Sequence, residues 1–310
     1  QNGEAKFLAP FKDHNFNGVY EPQLGETPDI RGDQAVFFMA NDDRGPKTES
    51  PGNNLGFEMH GMLYAYDSVN VALHNSVFLT LNIHNRSSKN YTDLKFGLWN
   101  DFDLGNPYDD AIGCDSLVEV FYTYNTDSQD EGPIGYGFNP PAVLGAFLNH
   151  SLDGFMYYKN SSSSTEGNPQ VSIDYYGYLK SLWRDGTVLS TETPSGLFNY
   201  LNGDGFDPSG SSSTTKYAFN DQANWYQSPT LLASTRNVGY TTIGTLASQE
   251  SICLDMVFAY ARDSNQTDAY GSVTLGKSYV QSLKTFYSVQ NFDCMGAFLS
   301  LEENAIKNLS

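Results

Sequence analysis

Basic residues are scarce in this chain, and several signals that mark common classes of protein are missing. Lysine and arginine together number 17 against 36 aspartates and glutamates, which gives a formal net charge of −19 over 310 residues. A surface of that sign repels phosphate backbones and anionic lipids, so no nucleic-acid partner is expected. No apolar run approaches the roughly 18 residues needed to span a bilayer, so direct membrane insertion is not expected either.

Catalytic signatures are missing as well. The five histidines are scattered without an HExxH pair, and no GxSxG, P-loop or dinucleotide fingerprint occurs. The chain is therefore predicted not to be an enzyme. A carbohydrate-binding module or a glycan-degrading enzyme stays open as an alternative, since Glu58, Glu119 or the Asp cluster described below could supply a carboxylate pair. The residues that could stack on sugar rings are Trp99, Trp183 and Trp225.

Cysteine is sparse, and its spacing matches no zinc site. The chain has three cysteines, Cys114, Cys253 and Cys294, with no CxxC or Cys/His pattern. At most one disulfide can form, so a disulfide framework is not implied. Two alternatives stay open, a bridge between Cys253 and Cys294 or buried thiols throughout.

Aromatic residues, by contrast, are abundant, and they indicate strands. The chain has 21 tyrosines and 20 phenylalanines, whereas charged residues make up only 17%. Short runs alternate between apolar and polar residues and are separated by clusters of turn-forming residues, which is typical of antiparallel sheets with one buried face. Strands are predicted at 35–40, 57–66, 77–84, 94–99, 117–124, 155–158 and 254–260. In the third run, Thr80, Asn82 and His84 are predicted to share a solvated face.

Helical periodicity is limited to two segments, 273–287 and a shorter one at 174–184 that ends before Gly186. The predicted fold is all-β, an antiparallel β-sandwich of jelly-roll-like type with one or two peripheral helices. No internal repeat or shift of composition divides the chain. A single extracellular domain is expected over 1–310, with an N-terminal DxNxNG loop at 10–34, a β core at 35–260 and a C-terminal helix at 272–290.

The strongest candidate site is an acidic segment between two predicted strands. Five aspartates fall within fifteen residues, at Asp101, Asp103, Asp109, Asp110 and Asp115. Carboxylates at that density repel one another, so a folded loop needs either full solvation or a cation. Ca²⁺ accepts six to eight oxygen ligands with loose geometry, which suits carboxylates mixed with carbonyls. Asp127 and Asp130, after the next strand, are predicted to share this calcium ion or to hold a second one, with an ordinary polar turn as the alternative.

A second candidate site lies near the N-terminus. The segment DHNFNGVYE places oxygen-bearing side chains at alternate positions before a glycine, as in the first half of a calcium loop. The predicted ligands are Asp13, Asn15, Asn17, the carbonyl of Val19 and Glu21. The closing acid is out of register, because the twelfth position is Leu24 and the available acids are Glu21 and Glu26. A solvated Asx turn is the alternative.

Most of residues 10–290 resembles an extracellular region of large surface or secreted proteins of Bacteroidota. The most specific part is the element in WNDFDLGNPYDDAIGCD, and segments such as FEMHGMLYAYD and YYGYLKSLWRDGTVL add to it. Such proteins look like cargo of the type IX secretion system. The resemblance implies an extracellular or bacterial cell-surface location and a role in adhesion, surface structure or gliding-type motility. It implies no reaction, and it leads us to expect a leader before the chain and a sorting domain after it.

The same resemblance implies one modification. Asp67-Ser68-Val69 matches the Asp-Ser/Thr-apolar pattern of O-glycosylation in exported proteins of that phylum, so Ser68 is the predicted glycosylation site. The sequence thus predicts a non-catalytic, calcium-stabilised module of the cell surface. Its expected partners are surface glycans, proteins, or the secretion and surface-anchoring machinery. A secretion-system cargo or associated subunit is a further alternative.

Overall fold

The computed structural model describes residues 9–43, 45–107, 109–115, 117–125, 128–187, 203–204, 235–265, 270–290 and 292. Strands dominate these residues and the helices are few. The strands are β1 (Gln34–Asn41), β2 (Phe57–Ala65), β3 (Ser76–Asn85), β4 (Tyr91–Asn100), β5 (Asp110–Asp115), β6 (Val120–Asn125), β7 (Gln129–Asp130), β8 (Gly137–Phe138), β9 (Ala142–Phe147), β10 (Gly154–Lys159), β11 (Gly203–Asp204), β12 (Thr235–Leu246) and β13 (Ser251–Ala261). The helices are α1 (Val71–His74), α2 (Ser172–Tyr178) and α3 (Gly271–Gln290).

Two antiparallel sheets form the body of the protein. The larger sheet has eight strands in the order β1-β2-β3-β13-β9-β6-β5-β11, and the smaller has three in the order β10-β12-β4. The strands β7 and β8 form a separate hairpin. The predicted antiparallel β-sandwich with peripheral helices is therefore confirmed.

The core between the two sheets is built from the side chains that the strands turn towards each other. Phe147 of the large sheet meets Phe96 of the small sheet edge to face, with ring centroids 6.3 Å apart. Gly239 of β12 lies against the Phe121 ring, so a β-carbon there would collide with it. Residues of both sheets join in this cluster, which includes Leu81, Ile112, Phe121, Phe155, Val238 and Leu254.

Helix α3 covers the opposite face of the large sheet. Its buried stripe includes Val273, Val280 and Leu283, which recur at helical spacing. Gly276 allows the helix to approach β9 closely, because a β-carbon there would collide with the side chain of Leu144. The helix predicted at 273–287 is thus confirmed and extends a few residues further at both ends.

Burial of both faces explains why one prediction for β3 is wrong. Thr80, expected on a solvated face, is fully buried, and its neighbour Phe78 is only 1% exposed. Both side chains lie beneath the helix layer, whereas Val77, on the face expected to be buried, is 46% exposed at the sheet margin. A strand between a second sheet and a helix has no solvated face, so its polar residues must find partners inside.

Thr80 finds such partners in a buried ion-pair network. Arg31 is fully buried, and its Nη1 donates to Asp255 Oδ1 at 2.7 Å and also contacts the Thr80 hydroxyl. The Tyr64 hydroxyl accepts from the same guanidinium at 3.3 Å, and the Tyr287 hydroxyl donates to Asp255 Oδ2 at 2.6 Å. This network ties the segment before β1 to β3, β13 and α3.

All seven predicted strands are present, with ends displaced by a few residues. The helix predicted at 174–184 is shorter, because α2 ends at Tyr178. Ser181 then adopts a left-handed backbone (φ 55°), and the N–H of Trp183 bonds to the carbonyl of Thr187 instead of continuing the helix.

The cysteines differ in state. Cys114 is a fully buried thiol, whereas Cys253 takes part in a disulfide bond. Cys294, the partner considered for it, lies outside the described residues. Among the residues that the structure describes, no helix combines the length and the apolarity needed to cross a membrane.

Candidate metal centre

The acidic segment singled out by the sequence is divided between a loop and a strand. After β4 ends at Asn100, the chain crosses over to β5, which begins at Asp110 and ends at Asp115. The prediction of one continuous loop from Asp101 to Asp115 is therefore wrong in its second half. A six-residue strand separates its first and last residues by about 16 Å, so Asp110 and Asp115 cannot bind the same ion.

Three carboxylates, those of Asp109, Asp110 and Asp130, lie near the start of β5. Asp110 pairs with the end of β6, and Asp109 precedes it directly. A turn at Gly105, where φ is 74°, lays the preceding loop against β7 and its Asp130. The N–H of Leu104 donates to Asp110 Oδ2 at 2.8 Å, and the N–H of Asn106 donates to Asp130 Oδ1 at 3.0 Å. One short loop thus holds both carboxylates.

Burial raises the free-energy cost of ionising these carboxyl groups. Asp110 is 7% exposed and Asp130 is 1% exposed. Loss of solvation raises the pKa of Asp110 to about 9, and the neighbouring carboxylates of Asp109, Asp130 and Asp103 add to the effect, although the Leu104 N–H opposes it. Burial also raises the pKa of Asp109 to about 6, although the neighbouring Asn125 side chain opposes it. Without an added positive charge, Asp110 retains its proton at neutral pH.

Two oxygens of the cluster have no hydrogen-bond partner. Asp109 Oδ1 and Asp110 Oδ1 are both buried, and neither has a donor within the described part of the chain. Burying a neutral polar group without a hydrogen-bond partner costs on the order of 2–7 kcal/mol by transfer data, and an ionised carboxylate costs more. Either a proton or a cation must therefore compensate these atoms.

The residues present fit a calcium ion with a mixed ligand set. Ca²⁺ binds carboxylate and carbonyl oxygens with loose geometry, and Asp109 Oδ1 and Asp110 Oδ1 would supply two anionic ligands. In the described segments, no three His, Cys, Asp or Glu side chains converge closely enough to hold a metal ion by themselves. Backbone carbonyls and water would therefore complete the coordination. Asp127, also predicted as a ligand, lies outside the described residues.

The remaining aspartates of the segment lie elsewhere and have other partners. Asp101 is exposed and forms an ion pair with Arg236 at 2.7 Å. Asp115 forms an ion pair with Lys277 at 2.9 Å and accepts two backbone N–H groups of the following turn. Although burial opposes it, this pairing lowers the pKa of Asp115. Asp103 is exposed, and partial burial together with Asp101 raises its pKa. Asp101 and Asp115 are thus neutralised without a metal ion.

The N-terminal loop does bring its predicted side chains together. Asp13 Oδ2 accepts the N–H of Gly18 at 2.7 Å. The side-chain amides of Asn15 and Asn17 both donate to Glu21 Oε2, at 2.9 and 2.7 Å. The N–H of Val19, whose carbonyl is the predicted ligand, bonds to Asn17 Oδ1 at 2.7 Å. These contacts also describe a solvated Asx turn, so both alternatives for the loop stay open.

Glu26 is the residue of this loop that the sequence prediction did not include. It is 2% exposed, and its two carboxylate oxygens accept the N–H groups of His14 and Glu21 at 3.2 and 2.6 Å. The chain reverses direction through a 3-10 turn at Pro22–Leu24 and a left-handed Gly25 (φ 91°). That Pro-to-Gly turn is the signal from which the return of Glu26 to the loop could have been predicted.

The predicted glycosylation site lies in the turn between β2 and α1. Ser68 is half-buried, and its Oγ accepts the N–H of Asn70 at 3.1 Å. Its neighbours Asp67 and Val69 are exposed. The tripeptide is therefore reachable from solvent.

No known family model matches the chain, and no curated protein matches it either.

Proposed function

We propose that this chain is a non-catalytic, calcium-stabilised module of a secreted or cell-surface protein, with a structural or adhesive role that extends to gliding-type motility. The main calcium ion binds between Asp109 and Asp110, beside Asp130 and Asp103. The DxNxNG loop, with Asp13, Asn15, Asn17, Val19 and Glu21, is the second calcium site. Asp101 and Asp115 are left out of the ligand set because they have cationic partners.

The single observation that carries the calcium proposal is the buried carboxylate pair. Asp110 and Asp109 each have a buried oxygen without a donor, and both have a raised pKa. A protein that keeps such a cluster at neutral pH loses stability unless a cation offsets the repulsion. Millimolar calcium outside the cell would supply that cation. The role of the ion would be to hold β5 and β7 in place against the loop 101–109 that precedes β5.

The surface location rests on other support. The acidic, aromatic-rich composition and the resemblance to exported Bacteroidota proteins favour it, as does the reachable Ser68 tripeptide. The partners that follow are surface glycans or proteins and the secretion or anchoring machinery. Cargo or subunit status in a secretion system is an alternative, which co-purification of the full-length protein with its export machinery would test.

Thermal unfolding tests the calcium proposal directly. Saturating calcium should raise the melting temperature of metal-depleted protein, by an amount equivalent to about 2.7 kcal/mol when calcium is at about 100 times its Kd. The substitution Asp110→Asn should remove most of that shift, whereas Asp101→Asn should leave it intact because Asp101 pairs with Arg236. Asp13→Asn should remove a smaller, separate part.

Because an asparagine is neutral and has nearly the same shape, Asp110→Asn should not lower the melting temperature in the absence of calcium. This keeps loss of binding distinct from loss of folding. The proposal is contradicted if protein shown by elemental analysis to be metal-free has the same melting temperature with and without calcium.

A further inference from the structure

A cleft with a volume of about 650 Å³ opens beside the small sheet. It lies between the first half of β4, the loop 49–55 before β2, and helix α2 with Leu179 just after it. The volume is within the range of about 300–1,000 Å³ that is typical of small-molecule sites. The carboxylate cluster lies outside this cleft, because none of its aspartates is among the lining residues.

Aromatic rings form much of the cleft wall. Tyr91, Trp99, Tyr175 and Tyr176 all line it, and each is partly exposed. The Trp99 and Tyr175 rings lie 5.2 Å apart between centroids, and the Tyr91 hydroxyl donates to the carbonyl of Leu55 across the cleft. Rings held by packing and by hydrogen bonds are pre-organised, so a ligand that stacks on them loses little side-chain entropy.

Charged groups fix one of these rings in place. The Tyr176 hydroxyl donates to Asp93 Oδ2 at 2.7 Å, and Lys180 Nζ lies 4.2 Å above the centre of the same ring. Lys180 also pairs with Asp93 at 3.1 Å. Asp93 itself has a left-handed backbone, with φ at 53°. Strained backbone of this kind is enriched at ligand sites.

Neutral polar groups complete the lining. Ser50, Asn53, Thr92 and Ser172 offer hydroxyl and amide groups that both donate and accept hydrogen bonds. A second depression of about 260 Å³ shares Asp93 and Lys95 with the cleft and continues it. Its other lining residues are Asp153, Lys180, Tyr240 and Thr242. Together the two depressions join a lining rich in aromatic rings to one that is mainly polar.

Two other classes of ligand fit this surface poorly. A nucleic acid would face a chain of net charge −19. An extended peptide would have to pair with the edge of β4, and that edge is irregular. Asp93 interrupts the extended backbone, the pairing with β12 shifts register opposite this region, and the Tyr176 hydroxyl is 2.8 Å from the Asp93 carbonyl. Side chains rather than backbone groups are therefore available for recognition.

We propose that the cleft binds a neutral oligosaccharide of pyranose units. The apolar C–H face of a pyranose ring stacks on tyrosine and tryptophan rings, and its hydroxyls hydrogen-bond with the serines, Asn53 and the carboxylates of Glu49 and Asp93. This site does not depend on calcium at the carboxylate cluster. If the proposed adhesive role holds, the molecule to which this chain adheres through the cleft is a glycan.

The charges in the cleft favour binding over cleavage. Hydrogen bonds from Tyr176 and Lys180 lower the pKa of Asp93, so this carboxyl group stays ionised. A glycosidase needs one carboxyl group that remains protonated to act as a general acid. Asp93, which pairs with two lysines, does not meet that requirement.

Isothermal titration of the folded wild-type chain with cellohexaose, β-1,4-mannohexaose and maltohexaose tests the proposal. At least one of the three should bind with a Kd below about 1 mM. Tyr176→Ala and the exposed substitution Thr92→Arg, which fills the cleft with a long side chain, should each weaken binding at least tenfold. Phe138→Ala removes an exposed ring from the separate β7–β8 hairpin, which does not line the cleft, and should leave the Kd unchanged.

The outcomes separate this proposal from the calcium proposal. Asp110→Asn should abolish the calcium shift and leave the sugar Kd unchanged. The proposal of a glycan site would be overturned if none of the three oligosaccharides binds. It would also be overturned if Thr92→Arg keeps both the affinity and the melting temperature of the wild type. Release of new reducing ends from the bound oligosaccharide would contradict its non-catalytic character.

Discussion

Raising the pH in the absence of calcium should destabilise this protein through one buried carboxyl group, Asp110. Burial raises the pKa of Asp110 to about 9 in the folded protein, whereas the ordinary value is 3.8. Between these values the folded state holds a proton that the unfolded state has released. The corresponding stability is fully present below the unfolded pKa and is lost as the pH rises towards the folded pKa.

The size of the effect follows from the width of the pH interval. One pH unit within the interval costs about 1.4 kcal/mol per group, so raising the pH from about 5 to about 7 costs about 3 kcal/mol through Asp110. Asp109, with a pKa of about 6, adds less because it is half-exposed and screened by solvent. In a domain of this size, about 3 kcal/mol corresponds to a fall in melting temperature on the order of 5 °C.

Circular dichroism melts of metal-depleted protein at a series of pH values would measure this slope. The matched control is Asp110→Asn, which cannot titrate and should be less sensitive to pH by about the same amount. Calcium competes with the retained protons, so the calcium-induced shift in wild type should grow as the pH rises. Identical pH profiles for wild type and Asp110→Asn would refute the reasoning.

Three further substitutions test the fold and the geometry of the site. Asp255→Asn should destabilise the protein by about 3–5 kcal/mol, because it leaves the fully buried Arg31 without its anionic partner, and a denaturant melt would measure the loss. Gly105→Ala should lower the free energy of unfolding by about 1–3 kcal/mol, because position 105 has a left-handed backbone. It should also weaken calcium binding, since the new β-carbon would collide with Asp130. An unchanged calcium titration would argue against the loop geometry. Leu283→Ala should lower the free energy of unfolding by about 2–5 kcal/mol, because this side chain is fully buried between α3 and the large sheet. A loss of less than about 1 kcal/mol would contradict the position of α3 described above.

The sheet architecture could be predicted in outline because most strands carry their pattern locally. Runs such as the one in β13 are long and rich in apolar residues, and the periodicity of α3 is visible without tertiary information. The sequence prediction missed β5 because its acidic ends and Gly113 are typical of loops. It missed β12 because Gly239 and Gly244 are typical of turns. Gly113 makes room for the Tyr122 ring of the neighbouring strand, and Gly239 makes room for the Phe121 ring of the facing sheet. Only the folded structure shows these contacts.

The candidate site was predictable in kind but not in its members. Acid density directed attention to the stretch around Asp110, since like charges need compensation whatever the fold. Which aspartates are buried depends on the turn at Gly105 and on the pairing of β5 with β6, and neither is local. Asp101 and Asp115 find their cationic partners, Arg236 and Lys277, only through distant parts of the chain.

The central claim is that calcium binds between Asp109 and Asp110. A crystal structure of the chain grown in calcium, with anomalous scattering used to identify the ion, would test it most directly. An ion is expected within about 2.3–2.6 Å of Asp109 Oδ1 and Asp110 Oδ1, with carbonyl and water oxygens completing its coordination shell. A site that holds no ion at saturating calcium, with the Asp110 carboxyl group bonded only to protein or water, would contradict it.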